Sequence, residues 1–261
     1  MENSEDKLAV LIDADNVPYS NVKELLEEIT KLGTPTIKRI YADWTRPALS
    51  GWKNVLLENA ITPIQQYSYT SGKNSSDSAL IIDAMDILYA GRVNGFCIVS
   101  SDSDFTRLAT RLREAGMMVY GFGEKKTPQA FISACHKFIY LEILKPEKLI
   151  ELPDTTKKVP ASVEKPSTGI APEIANLIVS CVNDLTDESG WAFLGNLGNY
   201  ILKKMPNFDS RNYGFPKLFP LIKSLNQFEI DERETPNSNI RHIFLKVKKE
   251  SKPRRKKNKS S

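Results

Sequence analysis

Three acidic segments of this chain carry the residue types that bind divalent metal ions. Residues 13–16 (DADN) and 102–104 (DSD) each follow a short apolar run, and Ser76-Asp77 precedes an amphipathic stretch. Carboxylate oxygens suit Mg²⁺ or Mn²⁺, and such ions serve phosphoryl chemistry. The first hypothesis is therefore a metal-dependent nuclease or phosphatase.

Carboxylates from such distant segments are expected to repel one another if they share a pocket. The candidates are Asp13, Asp15, Asp77, Asp102 and Asp104. Crowding of this kind raises some carboxyl pKa values and destabilises the fold unless a cation offsets the repulsion. Within the first segment either Asp15 or Asn16 can reach the site, because neighbouring side chains of a turn point in different directions.

Three further residues near these segments have more than one interpretation. Asp83 lies six positions after Asp77, about 240° around a helix, so it is expected to be a supporting or capping residue. Ser76 is expected to cap the helix that begins at Asp77. Lys73 either contacts a phosphate group or is an ordinary solvated loop lysine.

The first half of the chain alternates apolar runs with amphipathic stretches, which predicts a mostly parallel sheet covered by helices. Strands are predicted over residues 8–12, 36–42, 62–67, 95–100, 117–122 and 138–141. Helices are predicted over residues 18–32, 48–59, 77–89, 105–115 and 128–134. In such folds chemistry occurs at the carboxyl ends of strands, where Asp13 and Asp102 lie.

The second half predicts a smaller α+β domain after a linker. Residues 145–168 are rich in proline, charge and Ser/Thr, as linkers are. Helices follow over 170–182, 193–205 and 216–225, and strands over 227–231 and 240–247. Three helices with a β-hairpin indicate a winged-helix-like fold. The predicted organisation is thus 1–144, linker 145–168, 169–249, and a tail at 250–261.

Composition narrows the functional class further. The net charge of +4 is concentrated in the last eleven residues, which hold six lysines and arginines. This tail attracts nucleic acid by counterion release or serves only as a solubility tail. Three scattered cysteines, two histidines and no long apolar run predict a cytoplasmic protein without a histidine-rich zinc site or a membrane span.

The acidic segments resemble a known family once their neighbours are included. Residues 8–16 (LAVLIDADN), 73–83 (KNSSDSALIID) and 98–105 (IVSSDSDF) resemble the three signature blocks of NYN domains. The resemblance covers roughly residues 5–143 and is strongest to the LabA-like branch. It implies a PIN-like nuclease with a Rossmann-like fold.

This resemblance also implies roles for individual residues. Metal-binding acids are expected at Asp13, Asp77, Asp102 and Asp104, with Asn16 as a supporting residue. Ser76 departs mildly from the family pattern, in which an apolar residue is common before the aspartate. The implied activity is Mg²⁺- or Mn²⁺-dependent hydrolysis of RNA that leaves a 3′-hydroxyl and a 5′-phosphate.

Residues 169–248 resemble the OST-HTH/LOTUS domain, a winged-helix-like RNA-binding module. The matching segments are residues 191–205 (WAFLGNLGNYILKKM) and 206–218 (PNFDSRNYGFPKL). RNA is therefore the expected partner, while formation of a homodimer is left open. The candidate RNA-binding residues, which are as consistent with an ordinary solvated face, are Lys203, Lys204, Arg211, Asn212, Tyr213 and Lys217.

Two other functions compete with a ribonuclease. A non-catalytic RNA-binding regulator would keep the same fold, although the complete set of acids argues against it. A haloacid-dehalogenase-type phosphatase would use Asp13 of its Asp-x-Asp start as the nucleophile. The close spacing of Asp102 and Asp104 and the lack of an evident motif lysine disfavour that alternative.

Overall fold

A computed structural model describes residues 6–67, 75–144, 170–235 and 238–248 of the chain. These residues form two compact units, each of which is described by itself. The predicted phosphate-contact residue Lys73, the predicted linker and the basic tail lie outside the described residues. No helix within the described ranges is both long and apolar enough to cross a membrane.

The first unit is built on a six-stranded sheet in which every neighbouring pair is parallel, in the order β3-β2-β1-β4-β5-β6. Its strands are β1 (Lys7–Asp13), β2 (Thr34–Ala42), β3 (Thr62–Gln65), β4 (Gly95–Val99), β5 (Met118–Gly123) and β6 (Lys137–Tyr140). Its helices are α1 (Val22–Thr30), α2 (Trp52–Glu58), α3 (Ser75–Ala90), α4 (Thr106–Glu114) and α5 (Gln129–Ala134). The predicted α/β fold is confirmed.

The central strand β1 is apolar without alternation because both of its faces are covered. All residues from Leu8 to Ile12 are fully buried. Leu8, Val10 and Ile12 pack in one hydrophobic cluster with α1, whereas Ala9 and Leu11 pack in a second cluster on the opposite face. The run covered on both faces therefore stops at the charged Asp13, the last residue of β1.

The order of the strands creates a crevice beside Asp13. The chain proceeds outward from β1 to β3, returns through α3, and starts again at β4 on the other side of β1. The register pairs Ile12 with Val99, so Asp13 and Ser100 leave the sheet at the same level. Open parallel sheets bind ligands at this reversal point, outside the carboxyl ends of the strands.

Helix α3 is fixed to the sheet by a polar contact in its middle. Arg39 of β2 forms an ion pair with Asp83, and the hydroxyl of Tyr41 donates to the same carboxylate. Asp83 thus supports the helix against β2. The predicted cap was wrong, because α3 begins at Ser75 and Ser76 lies within its first turn.

The second unit combines three helices with a small antiparallel sheet in the order β7-β9-β8. Its elements are α6 (Pro172–Leu185), β7 (Ala192–Phe193), α7 (Leu194–Lys204), α8 (Leu218–Ser224), β8 (Phe228–Thr235) and β9 (Ser238–Val247). The predicted helices and hairpin are confirmed. The two-residue strand β7 was not predicted, since it is too short to show alternation.

We expect replacement of Asp83 to weaken the attachment of α3. The change Asp83→Ala removes two charge-assisted hydrogen bonds and leaves the half-buried Arg39 without this partner. The free energy of unfolding should fall by about 2 kcal/mol, measured by urea denaturation. Asp86→Ala, on the exposed side of the same helix, should change it by less than about 0.5 kcal/mol. Equal effects of the two changes would contradict the anchoring role.

Candidate metal centre

Asp13 is the buried centre of the site, with 1% of its surface exposed. Its Oδ2 accepts hydrogen bonds from Asn16 Nδ2 (2.5 Å) and Ser100 Oγ (2.8 Å), and its Oδ1 accepts from the Asp15 backbone N–H (3.1 Å). Burial raises the pKa of this carboxyl, and the three hydrogen bonds oppose that shift. The sequence left open whether the side chain of Asp15 or that of Asn16 reaches the site. Of the two, the Asn16 side chain is the one that hydrogen-bonds to Asp13.

Ser100 joins the loop after β1 to the loop after β4. Its hydroxyl donates to Asp13 and accepts from the backbone N–H of Asp102 (3.1 Å). Asp102 Oδ1 in turn accepts from the Asp104 backbone N–H (2.9 Å), which shapes the short turn before α4. Ser100 was not predicted as a site residue. The available signal in the sequence was a serine directly after an apolar run that predicts a buried strand.

Three predicted acids converge in space. One carboxylate oxygen from each of Asp77, Asp102 and Asp104 lies within 4.8 Å of the other two. Asp77 and Asp102 are half-buried and Asp104 is exposed, so the group opens to solvent. Asp13 is not one of this group of three, which we call the acidic triad. The triad draws one acid from the crossover helix α3 and two from the loop after β4.

Electrostatic repulsion marks the triad as a place for a cation. The pKa of Asp77 is raised from 3.8 to about 6, first by burial and then by the charges of Asp13, Asp102, Asp104 and Asp15. Asp13 is therefore near enough for its charge to act on Asp77. A set of hard oxygen donors that repel one another fits a small divalent ion such as Mg²⁺ or Mn²⁺.

Asp15 is paired with a cation, Arg46, outside the triad. Its carboxylate forms an ion pair with Arg46 (2.8 Å), and both side chains are largely exposed. Arg46 follows β2 in a turn closed by Asp43, whose Oδ1 accepts from the backbone N–H (3.2 Å) and hydroxyl (2.6 Å) of Thr45. Arg46 was not predicted as a site residue, since this contact joins residues far apart in the chain.

The RNA-binding residues predicted from the LOTUS-like segments lie on helix ends and turns. Lys203 and Lys204 are exposed in the last turn of α7, and Lys217 is exposed directly before α8. Arg211, Asn212 and Tyr213 form a half-buried 3-10 turn. Contacts between these six residues and RNA remain a prediction.

A parallel sheet of this strand order, with acidic side chains at its reversal point, defines a PIN-like α/β unit. The NYN domain family matches residues 7–142, so the chain belongs to that family, whose domains are PIN-like nucleases. Residues 166–240 match the OST-HTH/LOTUS domain, which binds RNA. Both resemblances expected from the sequence are confirmed.

Several solved structures are similar to parts of the chain, while no curated protein matched it. A protein of unknown function from Vibrio parahaemolyticus is 20% identical over 54% of this chain and 95% of its own, with a TM-score of 0.46. An uncharacterized protein from Nitrosomonas europaea is 34% identical over 38% of this chain and 94% of its own, with a TM-score of 0.30. A fragment of a Chromobacterium violaceum protein is 24% identical over 33% of this chain and 91% of its own, with a TM-score of 0.26.

We expect the repulsion at Asp77 to destabilise the metal-free protein at neutral pH. The folded-state pKa exceeds the unfolded one, so the free energy of unfolding falls as the pH rises from 3.8 to about 6. Asp77→Asn should therefore raise that free energy by about 1 kcal/mol near pH 7.5 in EDTA, allowing for solvent screening. The gain should shrink toward zero near pH 4.

Calorimetry across this pH range measures the effect. Asp86→Asn removes the same charge from the exposed side of α3 and should give no comparable gain. A gain for Asp77→Asn that is independent of pH would contradict the electrostatic origin of the strain.

Proposed function

We propose that the chain is a metal-dependent ribonuclease whose NYN unit hydrolyses RNA and whose LOTUS unit binds it. The observation that carries this proposal is the acidic triad, which collects Asp77, Asp102 and Asp104 at the reversal point of the sheet. Membership in a nuclease family supports hydrolysis, and the LOTUS match supports RNA as the substrate.

The triad is suited to hold Mg²⁺ or Mn²⁺. The ion would supply charge neutralisation at the scissile phosphate and a water of lowered pKa. Asp77, Asp102 and Asp104 would hold it, while Ser100 and the Asp104 backbone keep Asp102 oriented. Asp13 stays a predicted ligand, because a carboxylate oxygen that accepts one hydrogen bond retains a second lone pair.

Arg46 supports substrate binding at the rim of the same site. Its guanidinium is held at 2.8 Å from Asp15, which follows the buried Asp13 by two residues. A guanidinium can exchange one carboxylate for a phosphate because it donates to both with the same paired geometry. We therefore assign Arg46 to an RNA phosphate beside the scissile one.

The electrostatics of the NYN unit argue against a binding-only regulator. Several carboxylates that raise the pKa of Asp77 would repel RNA phosphates if no cation lay between them. The phosphatase alternative fares worse, because Asp13 is 1% exposed and its oxygens accept hydrogen bonds from Asn16, Ser100 and the Asp15 backbone. Such a carboxylate is held by its hydrogen bonds and is not exposed to act as a nucleophile.

Removal of one triad charge should abolish cleavage without unfolding the protein. Asp102→Asn keeps the oxygen that accepts from the Asp104 N–H and loses the negative charge that would bind the cation. We expect cleavage of single-stranded RNA in Mn²⁺ or Mg²⁺ to fall at least about 100-fold, as measured on end-labelled RNA.

The matched control is Asp86→Asn, which should cleave like the wild type. Mn²⁺ should also raise the melting temperature of the wild type and not that of Asp102→Asn. Metal-dependent cleavage retained by Asp102→Asn would overturn the assignment. Wild-type protein that binds RNA and never cleaves it, whatever the metal, would favour the regulator instead.

The role of Arg46 predicts a change in KM rather than in kcat. Arg46→Gln removes a phosphate contact outside the acidic triad, so KM for RNA should rise about tenfold while kcat changes less than about twofold. Arg92→Gln removes the same charge just before β4, at the amino ends of the strands and so away from the site. It should change neither KM nor kcat. A fall in kcat alone for Arg46→Gln would refute a binding role.

A further inference from the structure

The small sheet of the second unit has two chemically different faces. Most inward positions are apolar, and Ala192, Phe228 and Leu245 are buried there, where α6 packs against β9. Along β9 the inward side chains are the aliphatic Ile243, Leu245 and Val247. The alternating outward positions carry His242, Phe244 and Lys246. Apolar residues thus dominate the core side, and the outward side carries aromatic and basic residues together with Glu229 and Asp231 of β8, which pair in register with Lys246 and Phe244.

The rings on the outward side lie side by side rather than apart. Phe193 of β7 pairs in register with Phe244, and their ring centroids are 5.6 Å apart. The His242 ring is 5.1 Å from the Phe193 ring. All three side chains are half-buried, so part of each remains open to solvent. They form a continuous ring surface across two strands.

Two cations lie over Phe244 and over a further ring of this side, Trp191. The Arg233 guanidinium of β8 is 4.2 Å from the centroid of Phe244 and 5.7 Å from that of Trp191. Lys246 Nζ is 5.7 Å from the centroid of Trp191. Asp231 accepts a hydrogen bond from Arg233 Nε at 2.7 Å and fixes the guanidinium. Trp191, Phe193, Arg233, His242, Phe244 and Lys246 together are called the aromatic face below.

A tight turn sets Trp191 at the edge of the aromatic face. Asp187 Oδ1 accepts from the backbone N–H groups of Ser189 (2.9 Å) and Trp191 (3.0 Å). Gly190 has a φ of +83°, and a Cβ there would lie 3.3 Å from Lys246 Nζ. The turn therefore favours glycine for its backbone conformation, and Lys246 lies close above it.

We propose that the aromatic face binds unpaired RNA bases by stacking, with Arg233 and Lys246 contacting the adjoining phosphates. Bases expose their ring faces only when unpaired, and aromatic side chains with nearby cations bind them with little sequence preference. An open sheet face is flat enough to take two neighbouring bases. The assignment deepens the RNA-binding part of the proposed function and uses residues other than the six predicted from the sequence.

Residues 166–240 match the OST-HTH/LOTUS domain, which binds RNA, and this match favours RNA over a protein partner for the aromatic face. Aromatic rings beside an arginine and a lysine also suit unpaired bases with their phosphates. The Arg233 guanidinium already lies over the Phe244 ring, and a base can stack on that guanidinium plane or on the neighbouring Phe193 ring while the Lys246 ammonium contacts the adjoining phosphate. The occupant is therefore a single-stranded segment.

Fluorescence anisotropy of a labelled single-stranded RNA, titrated with the full chain in EDTA, tests the proposal without requiring cleavage. Phe244→Leu should weaken binding about tenfold and leave the salt dependence unchanged, because it removes stacking and no charge. Phe244→Tyr should bind like the wild type. Arg233→Gln and Lys246→Gln should each lower the slope of log affinity against log salt by about one.

Two controls keep the test decisive. In the first control, Phe219→Leu removes a ring of α8 that is also covered by a cation, since Lys223 Nζ lies 4.3 Å from its centroid. Phe219 is not part of the aromatic face, so this variant should bind RNA like the wild type. A perfect duplex of the same sequence should bind Phe244→Leu and wild type equally. If Phe244→Leu proves unstable by calorimetry, Trp191→Leu takes its place.

Three results would overturn the proposal. They are single-stranded binding within about twofold of wild type for a folded Phe244→Leu, an equal loss for Phe219→Leu, and an equal loss on the duplex. The first of these would leave a protein partner as the occupant of the surface. Since no metal is present, failure here is separate from failure of the ribonuclease assignment, which the Asp102→Asn experiment decides.

Discussion

Burial of the Asp13 carboxylate is the constraint on which the NYN unit depends. A buried carboxylate is costly unless donors surround it, and here the donors come from its own turn and from Ser100 after β4. The contact between Asp13 and Ser100 joins the two strands that flank the reversal point of the sheet. Because Ser100 also accepts from the Asp102 backbone, the position of one buried acid sets the position of an exposed one.

The same arrangement stores electrostatic strain. Burial and four neighbouring carboxylates raise the pKa of Asp77 to about 6, so the metal-free site favours a proton that a cation would replace. The Asp83 contact with Arg39 and Tyr41 holds α3 against β2 despite this repulsion. Helix α3 thus carries Asp83, which stabilises its attachment to β2, and Asp77, whose repulsion by the neighbouring carboxylates a bound cation would relieve.

Local pattern was enough to predict much of the fold and part of the site. Apolar runs that end at Asp13 and just before Asp102 indicate parallel strands, and parallel strands bring such ends to one edge. The contacts of Ser100, Arg46 and Asp83 were not predictable in this way, because each joins residues 31 to 87 positions apart. The outward placement of Phe193 and Phe244 was not predictable for a different reason. A phenylalanine on an outward face and one in the core look the same in the sequence.

The two units would recognise different parts of a single RNA strand. In the proposed function, the acidic triad with a cation and Arg46 would bind phosphates, which every sequence presents alike. The aromatic face would bind base rings, which only unpaired strands expose. A duplex would still offer phosphates to the first unit while denying bases to the second. Selection of single-stranded RNA would therefore come from the aromatic face, and the NYN unit would contribute the chemistry with little discrimination of its own.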